Sequence, residues 1–320
     1  MPNDHDRLGL DEWREALRDP LQEALGQGSS EIRVEYLIPR KDVADDPVKL
    51  LVSDARAGKR AVVLISSPVE PDLVGSGMRI AAAAKERLGP RLGSVILEPL
   101  GQGTLDGLSY TILPFRNPLA EGRLMRRFWR LRLRGRVLDW LAEVASTTAA
   151  DASAEDASNA FEASLRHLAT LETMGSAMRD AAQEALDRLR AGEWKPQFIL
   201  MHGDLWDGNL LLPSRSPATD ESPAPFVLID WPGATLRGYP LFDLLRITRS
   251  MRISESALRR EVSRHCQILR IEAVGARGHL LACLGHIGSN LGFFPVDMYT
   301  EMSRNCFADL ERALGAGPRA

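Results

Sequence analysis

His202-Gly203-Asp204-Leu205-Trp206-Asp207-Gly208-Asn209 is the stretch that decides the reading of this chain. It closes an apolar run opened by Pro196, QFILMHGDL, and sets Asp204 and Asn209 around Gly208 on a tight turn. Further on, a second apolar run, FVLIDW, ends with Asp230 and Trp231 just ahead of Pro232-Gly233. Both runs have the β-branched and aromatic content of short strands. If the two strands pair antiparallel, Asn209 and Asp230 come side by side, and Asp204 faces the gap they bound. An amide oxygen and a carboxylate suit Mg²⁺, a hard cation that keeps several waters and shares substrate phosphates. A separate carboxylate that touches no metal is free to orient or deprotonate a hydroxyl.

The amino-terminal part alternates strand-like runs with turns. A short amphipathic helix over 11–25, with a Pro interruption, precedes EIRVEYLIP, VKLLVSD and KRAVVLISS. A helix is expected over 72–88, closed by Gly89-Pro90. Two more strands follow, SVILEPL and LSYTILPF, with GQGTLDG as the hairpin connection and Gly101-Gln102-Gly103 as its turn. Gly26-Gln27-Gly28 reads as a helix end. The expectation is a five-stranded sheet with one helix after the third strand. From 119 onward, Leu124, Phe128, Leu131, Val137, Trp140, Leu141 and Val144 fall near helical spacing. Helices are expected over 159–177, 179–191 and most of 240–315, and SRSPATDESPAP (214–225) reads as an exposed, mobile loop.

Composition narrows the classes. The chain has 320 residues with 44% apolar and 26% charged side chains, ordinary values for a globular protein. A net charge of −3 argues against a protein that binds nucleic acid by blanket phosphate neutralisation. Three widely spaced cysteines, Cys266, Cys283 and Cys306, exclude a disulfide scaffold and a C-x-x-C zinc site and fit a reducing, cytoplasmic setting. The opening MPNDHDRLGLDEWREAL has no apolar leader core, and no run approaches the ~20 apolar residues that cross a bilayer.

His202-Gly203-Asp204 through Asn209, then Ile229-Asp230-Trp231, then Gly238-Tyr239-Pro240-Leu241-Phe242-Asp243-Leu244 resembles the catalytic core of the aminoglycoside phosphotransferase and choline kinase family. Its motif is H-G-D-x-x-x-x-N, an aspartate closing an apolar strand, and G-x-P-x-x-D-L. The resemblance implies an α+β, bilobal, protein-kinase-like fold. A small five-stranded lobe would span 1–115, and a larger, mostly helical lobe with the catalytic loop and acceptor site 116–320. It implies Mg²⁺-dependent transfer of the γ-phosphate of ATP or GTP to a hydroxyl of a small molecule. Asp204 would be the catalytic base or orienting carboxylate, with His202 bracing its loop. Asn209 and Asp230 would hold Mg²⁺ on the nucleotide phosphates. Asp243 would hydrogen-bond the loop backbone. Asp207, at a position the family leaves variable, is expected to be solvent-exposed, and Trp206 and Trp231 to pack.

The amino-terminal lobe departs from that pattern. A kinase-like third strand ends near a lysine for the α- and β-phosphates, paired with a glutamate in the next helix. Here that position holds Ile65, Ser66 or Ser67, and the helix carries Arg79 and Ile80 where the glutamate is expected. Lys49 and Arg79 are the substitutes on hand for the phosphates. A glycine-rich loop is also missing between the first two strands, where RKDVADDP is acidic. These departures keep a second reading open, a pseudokinase that serves as a binding or regulatory module.

Seven arginines crowd 123–136, RLMRRFWRLRLRGR. They predict an amphipathic helix that either packs Phe128, Trp129, Leu131 and Leu133 inward or meets an anionic substrate, surface or partner. The carboxy-terminal helices from 255 to 306 carry Arg and His and no acid cluster, which argues against a polycationic acceptor and for a neutral or anionic, sugar-like one.

Overall fold

A computed structural model describes residues 9–26, 32–38, 44–54, 58–119, 122–213 and 224–315. The chain opens with α1 (Leu10–Ala16) and α2 (Arg18–Leu25), continues through β1 (Ile32–Tyr36), β2 (Val48–Asp54) and β3 (Gly58–Ile65), and enters α3 (Leu73–Gly93). β4 (Gly101–Leu105) and β5 (Leu108–Pro114) complete an antiparallel sheet of order β1-β2-β3-β5-β4. Alternate strand residues Leu50, Val52, Ala61, Val63, Ile65 and Ile112 turn to one face and bury against Trp13, Leu17 and Leu21 of the first two helices. Each large side chain buried there contributes roughly 1.5–3 kcal/mol.

The fourth strand is not the one expected. SVILEPL forms no strand beyond a single parallel bridge from Ile96 to Leu228. The strand is GQGTL, with Gly101 opposite Ile112 and Leu105 opposite Leu108. The turn is Asp106-Gly107, both at positive φ, 49° and 81°, the backbone a two-residue hairpin demands. Gly101-Gln102-Gly103 is therefore strand and not turn. In α3, Gly89 leaves the helical region (φ 71°, ψ 178°) ahead of Pro90, so the regular helix ends at the expected place and one short turn follows. α2 ends at Gly26, φ 85°, whose N–H donates to the Gln22 carbonyl, the helix end expected there. Gln27, Gly28 and most of the Ser/Pro-rich loop lie outside the described residues.

Beyond β5 the chain is mostly helical. α4 (Arg123–Thr148) leads to β6 (Ala150–Asp151), α5 (Ala154–Asp156), a π-helical turn at Ala157–Glu162, α6 (Ala163–Thr170) and α7 (Ser176–Arg190). Then come β7 (Gln197–Met201), β8 (Leu210–Leu211), β9 (Val227–Leu228), β10 (Thr235–Gly238), α8 (Phe242–Ser250), α9 (Glu255–Leu269), α10 (Ala273–Ser289) and α11 (Val296–Leu314). α10 is apolar on most sides and is accordingly buried from Gly275 to Gly285 except at Arg277. β7 is held to the end of α4 by the Leu200 N–H, which donates to Thr148 Oγ1 at 2.9 Å, and is flanked by β6 and β10.

The chain divides into two compact units. One comprises Met1–Ala83, Ser94–Asn117 and Leu211–Pro232, the other Ala84–Gly93, Pro118–Leu210 and Gly233–Ala320. The first holds the five-stranded sheet, the second most of the helices. None of the described helices is long and apolar enough to cross a membrane.

Candidate functional site

In the helical unit, the loop after β7 is built against one face of α8. Asp243, Arg246 and Ser250 recur at i, i+3 and i+7 on a helix whose other residues include Phe242, Leu244, Leu245 and Ile247, all buried. Each of the three polar side chains takes a different point of the loop. Asp243 accepts from the backbone N–H of His202 at 2.6 Å and of Gly203 at 3.0 Å, the bracing expected of it. Burial pushes its carboxyl up to about 6, against the lowering effect of those two N–H donors. Arg246 Nη2 donates to Asp204 Oδ1 at 2.9 Å. Ser250 Oγ accepts from the Asp207 N–H at 3.0 Å.

Within the loop, Gly203 sits at φ 81°, and a Cβ there would lie 2.2 Å from the Gly233 carbonyl oxygen. Sterics and backbone both require glycine. His202 is buried, and its Nδ1 accepts from the Asp204 N–H at 3.3 Å. Asn209 Nδ2 donates to the Asp204 carbonyl at 2.8 Å and to Asp204 Oδ2 at 3.1 Å. Asn209 Oδ1 is then the amide atom available to a cation. His202, Asp204, Asn209 and Asp243 thus come together in one unit. Asp204 keeps 44% of its side-chain surface open, enough for a second molecule to reach it.

Asp207 is not solvent-exposed as the sequence reading had it. Its side chain is 2% accessible and accepts from Arg126 Nε at 2.9 Å, Arg126 Nη2 at 3.1 Å and Arg130 Nε at 2.7 Å. Two arginines one helical turn apart on α4 enclose a carboxylate that water no longer solvates, and the guanidiniums replace that hydration. The same contact reverses the expected orientation of the arginine run. With Arg126 and Arg130 turned inward, Phe128 and Leu131 face solvent and only Leu133 of the four apolar residues is fully buried. The signal was present in sequence as arginines at i, i+4 and an acid inside the loop, but nothing local connects them.

In the sheet unit, Asp230 follows β9 at φ 72°. The Leu228 N–H donates to the Val95 carbonyl at 2.8 Å, and buried Trp231 donates from Nε1 to the Leu228 carbonyl at 3.2 Å, which fixes this segment. Lys49 Nζ pairs with Asp46 at 2.6 Å, and Arg79 pairs with Asp72 at 2.5 Å on the surface. Arg79 holds the Asp72 carboxyl below the usual carboxylate range. These pairs keep Lys49 and Arg79 on separate carboxylates. At the end of β3, where a kinase-like strand carries its lysine, Ser66 Oγ lies 2.8 Å from Ser109 Oγ. The two hydroxyls accept from the N–H groups of Val74 and Gly75, each at 2.9 Å, and so cap the first turn of α3.

No protein-family model matches the chain, and no curated protein matches it in sequence. Solved structures do. A protein assigned as a fructosamine-3-kinase from Haemophilus somnus 129PT superposes with a TM-score of 0.51 at 12% identity, over 91% of this chain and 97% of its own. A choline/ethanolamine kinase family protein from Mesorhizobium loti gives 0.48 at 14% identity, over 93% and 97%. An aminoglycoside-3'-phosphotransferase of type VIII gives 0.41 at 14%, over 97% and 100%. The fold is protein-kinase-like, with the small antiparallel sheet and larger helical remainder that the motif implied.

Proposed function

We propose that the chain is a small-molecule phosphotransferase that moves the γ-phosphate of ATP or GTP to a hydroxyl of a non-cationic, sugar-like acceptor. The observation that carries this reading is Asp204, braced through its backbone and partly open, with Arg246 at 2.9 Å. Asp204 orients the acceptor hydroxyl and takes its proton as the acceptor oxygen bonds to phosphorus. The bridging P–O bond breaks and the nucleoside diphosphate leaves. Arg246 places a fixed positive charge beside the reacting oxygen, which favours neutral or anionic acceptors and repels ammonium-bearing ones. His202 acts by holding the Asp204 backbone.

Asn209 and Asp230 supply the hard oxygen donors we assign to Mg²⁺, a cation that needs few protein ligands because water and phosphate complete its shell. Bound there, Mg²⁺ would neutralise charge on the β- and γ-phosphates. Lys49 and Arg79 are the cations we assign to the nucleotide phosphates, each exchanging its present carboxylate for a phosphate oxygen. An exposed pair such as Arg79–Asp72 opposes that exchange weakly.

A second reading, a pseudokinase that binds without turnover, is favoured by one observation: the Ser66–Ser109 pair stands where a kinase-like strand carries its phosphate lysine. One experiment separates them. Melting is followed with Mg²⁺ and millimolar ATP or GTP, and phosphate transfer is assayed on sugars, sugar phosphates and nucleosides. Ligands of the native state raise its melting temperature. The enzyme reading expects a nucleotide-dependent rise that Asp230→Ala removes, and turnover that Asp204→Asn lowers about 10²–10⁴-fold with the rise intact. A rise with no turnover on any acceptor supports the pseudokinase, and robust phosphorylation of aminoglycosides overturns the acceptor class.

A further inference from the structure

We propose that the outward face of the first half of α4 docks on an anionic membrane surface, lying along it as an interfacial helix. The inward face of this segment is accounted for by Arg126, Arg130 and buried Leu133. Opposite it, Leu124, Phe128 and Leu131 are 83%, 49% and 53% exposed. At about 100° per residue these three fall within about 60° of one another, a stripe and not a scatter. Arg127 and Arg134 flank the stripe on one side, Arg132 and Arg136 on the other.

Charge decides what covers the stripe. No Asp or Glu occurs between Gly122 and Leu138. Among the described residues, Arg123, Arg127, Arg132, Arg134 and Arg136 form no salt bridge, whereas Arg126 and Arg130 do. An apolar stripe bordered on both sides by arginines fits the boundary between acyl chains and anionic headgroups. There, Leu and Phe enter the apolar layer while guanidiniums reach outward to phosphate. A second copy of the chain does not fit, because apposing two such faces brings like charges together. A nucleic acid would neutralise the arginines but leave Leu124, Phe128 and Leu131 in water. The inference is independent of the proposed phosphotransfer, since none of these side chains belongs to the loop around Asp204.

The test uses the full chain and co-sedimentation with vesicles of phosphatidylcholine alone or with added phosphatidylglycerol. The expected result is binding to the anionic vesicles only, weakening as salt rises. Each arginine near an anionic leaflet strengthens binding roughly five-fold, so Arg127→Ala/Arg134→Ala should bind about 25-fold more weakly. Leu124→Ser/Phe128→Ser should abolish binding. Unchanged melting temperatures will show that the variants fold, and Arg127→Gln/Arg134→Gln replaces the alanine pair if it does not. Equal binding to both vesicles, no binding to either, or full binding by the serine variant overturns the proposal. So does capture of polyuridylate or polyglutamate by a chain that ignores anionic vesicles.

Discussion

The Asp207 carboxylate meets Arg130 Nε at 2.7 Å, joining a loop residue to a helix that begins far earlier in the chain. Together with Arg126 and the Asp207 N–H on Ser250, this contact fixes the middle of the loop between Asp204 and Asn209. Removing one partner of a buried ion pair costs about 3–5 kcal/mol when nothing replaces it. Arg126→Ala/Arg130→Ala should approach that range, and Arg126→Ala alone should cost less because Arg130 remains. Denaturant unfolding of the three proteins checks the order, and equal stability of the double variant and the parent would contradict it.

Gly203→Ala sets a methyl group against the Gly233 carbonyl at a backbone conformation that side chains rarely adopt. Strain of this kind costs of order 1–3 kcal/mol, and the collision adds to it. The variant should melt lower than the parent and lose phosphotransfer more than its loss of stability explains, because the N–H groups that Asp243 holds lie on the same turn. Gly233→Ala has far more room, 3.9 Å to its nearest neighbour, and serves as the comparison.

Arg246→Ala leaves Asp204 without its guanidinium partner. Both side chains are partly open, so water screens the contact and the effect on folding should be small. Turnover of neutral or anionic acceptors should fall roughly ten-fold, the lower range for a charge-assisted hydrogen bond. Relative activity on amine-bearing alcohols should rise. Steady-state kinetics on one acceptor of each charge reads both effects.

His279 is fully buried, and burial holds its ring down at about 4, from an ordinary value of 6.5. Nε2 accepts from the Gln197 N–H at 2.9 Å and Nδ1 lies 2.6 Å from the Gly275 carbonyl, so the ring is neutral with its hydrogen on Nδ1. The unfolded chain binds a proton below about 6.5 that the folded chain refuses until about 4. Stability contributed here is full above 6.5 and is lost as pH falls through that window, by up to roughly 3 kcal/mol. Melting curves from pH 7 to 4 should show a steeper decline for the parent than for His279→Gln.

The loop after β7 is legible in the sequence because its anchors are local or spaced by a motif: Asp204, Asn209 and Asp243 meet through hydrogen bonds that the motif spacing implies. The sheet was legible in strand number and not in strand identity. SVILEPL has the composition of a strand, yet Asp106-Gly107, a strong hairpin signal in the same stretch, should have taken precedence and fixed GQGTL as the partner of β5. Asp207 was missed because its partners lie about eighty positions away and on another element. The helix pattern Asp243, Arg246, Ser250 was readable as one polar face on an apolar helix, and it points to what that face organises. Ser66 and Ser109 gave no signal, since a hydroxyl in a strand is common and their meeting is a product of sheet register.

The hydroxyl pair at the start of α3 also bears on how this chain can change. Ser66 is 1% exposed, and its oxygen is the partner of the Val74 N–H. Installing a lysine at Ser66 would bury an ammonium group and release the helix end in the same step, so restoring the missing charge there is a loss before it is a gain. The Ser109 hydroxyl, 2.8 Å from Ser66 Oγ and partner of the Gly75 N–H, would lose its neighbour in the same change. The position is closed to a cation by its own packing, so a positive charge added to the sheet unit is tolerated only at a residue whose side chain does not cap a helix.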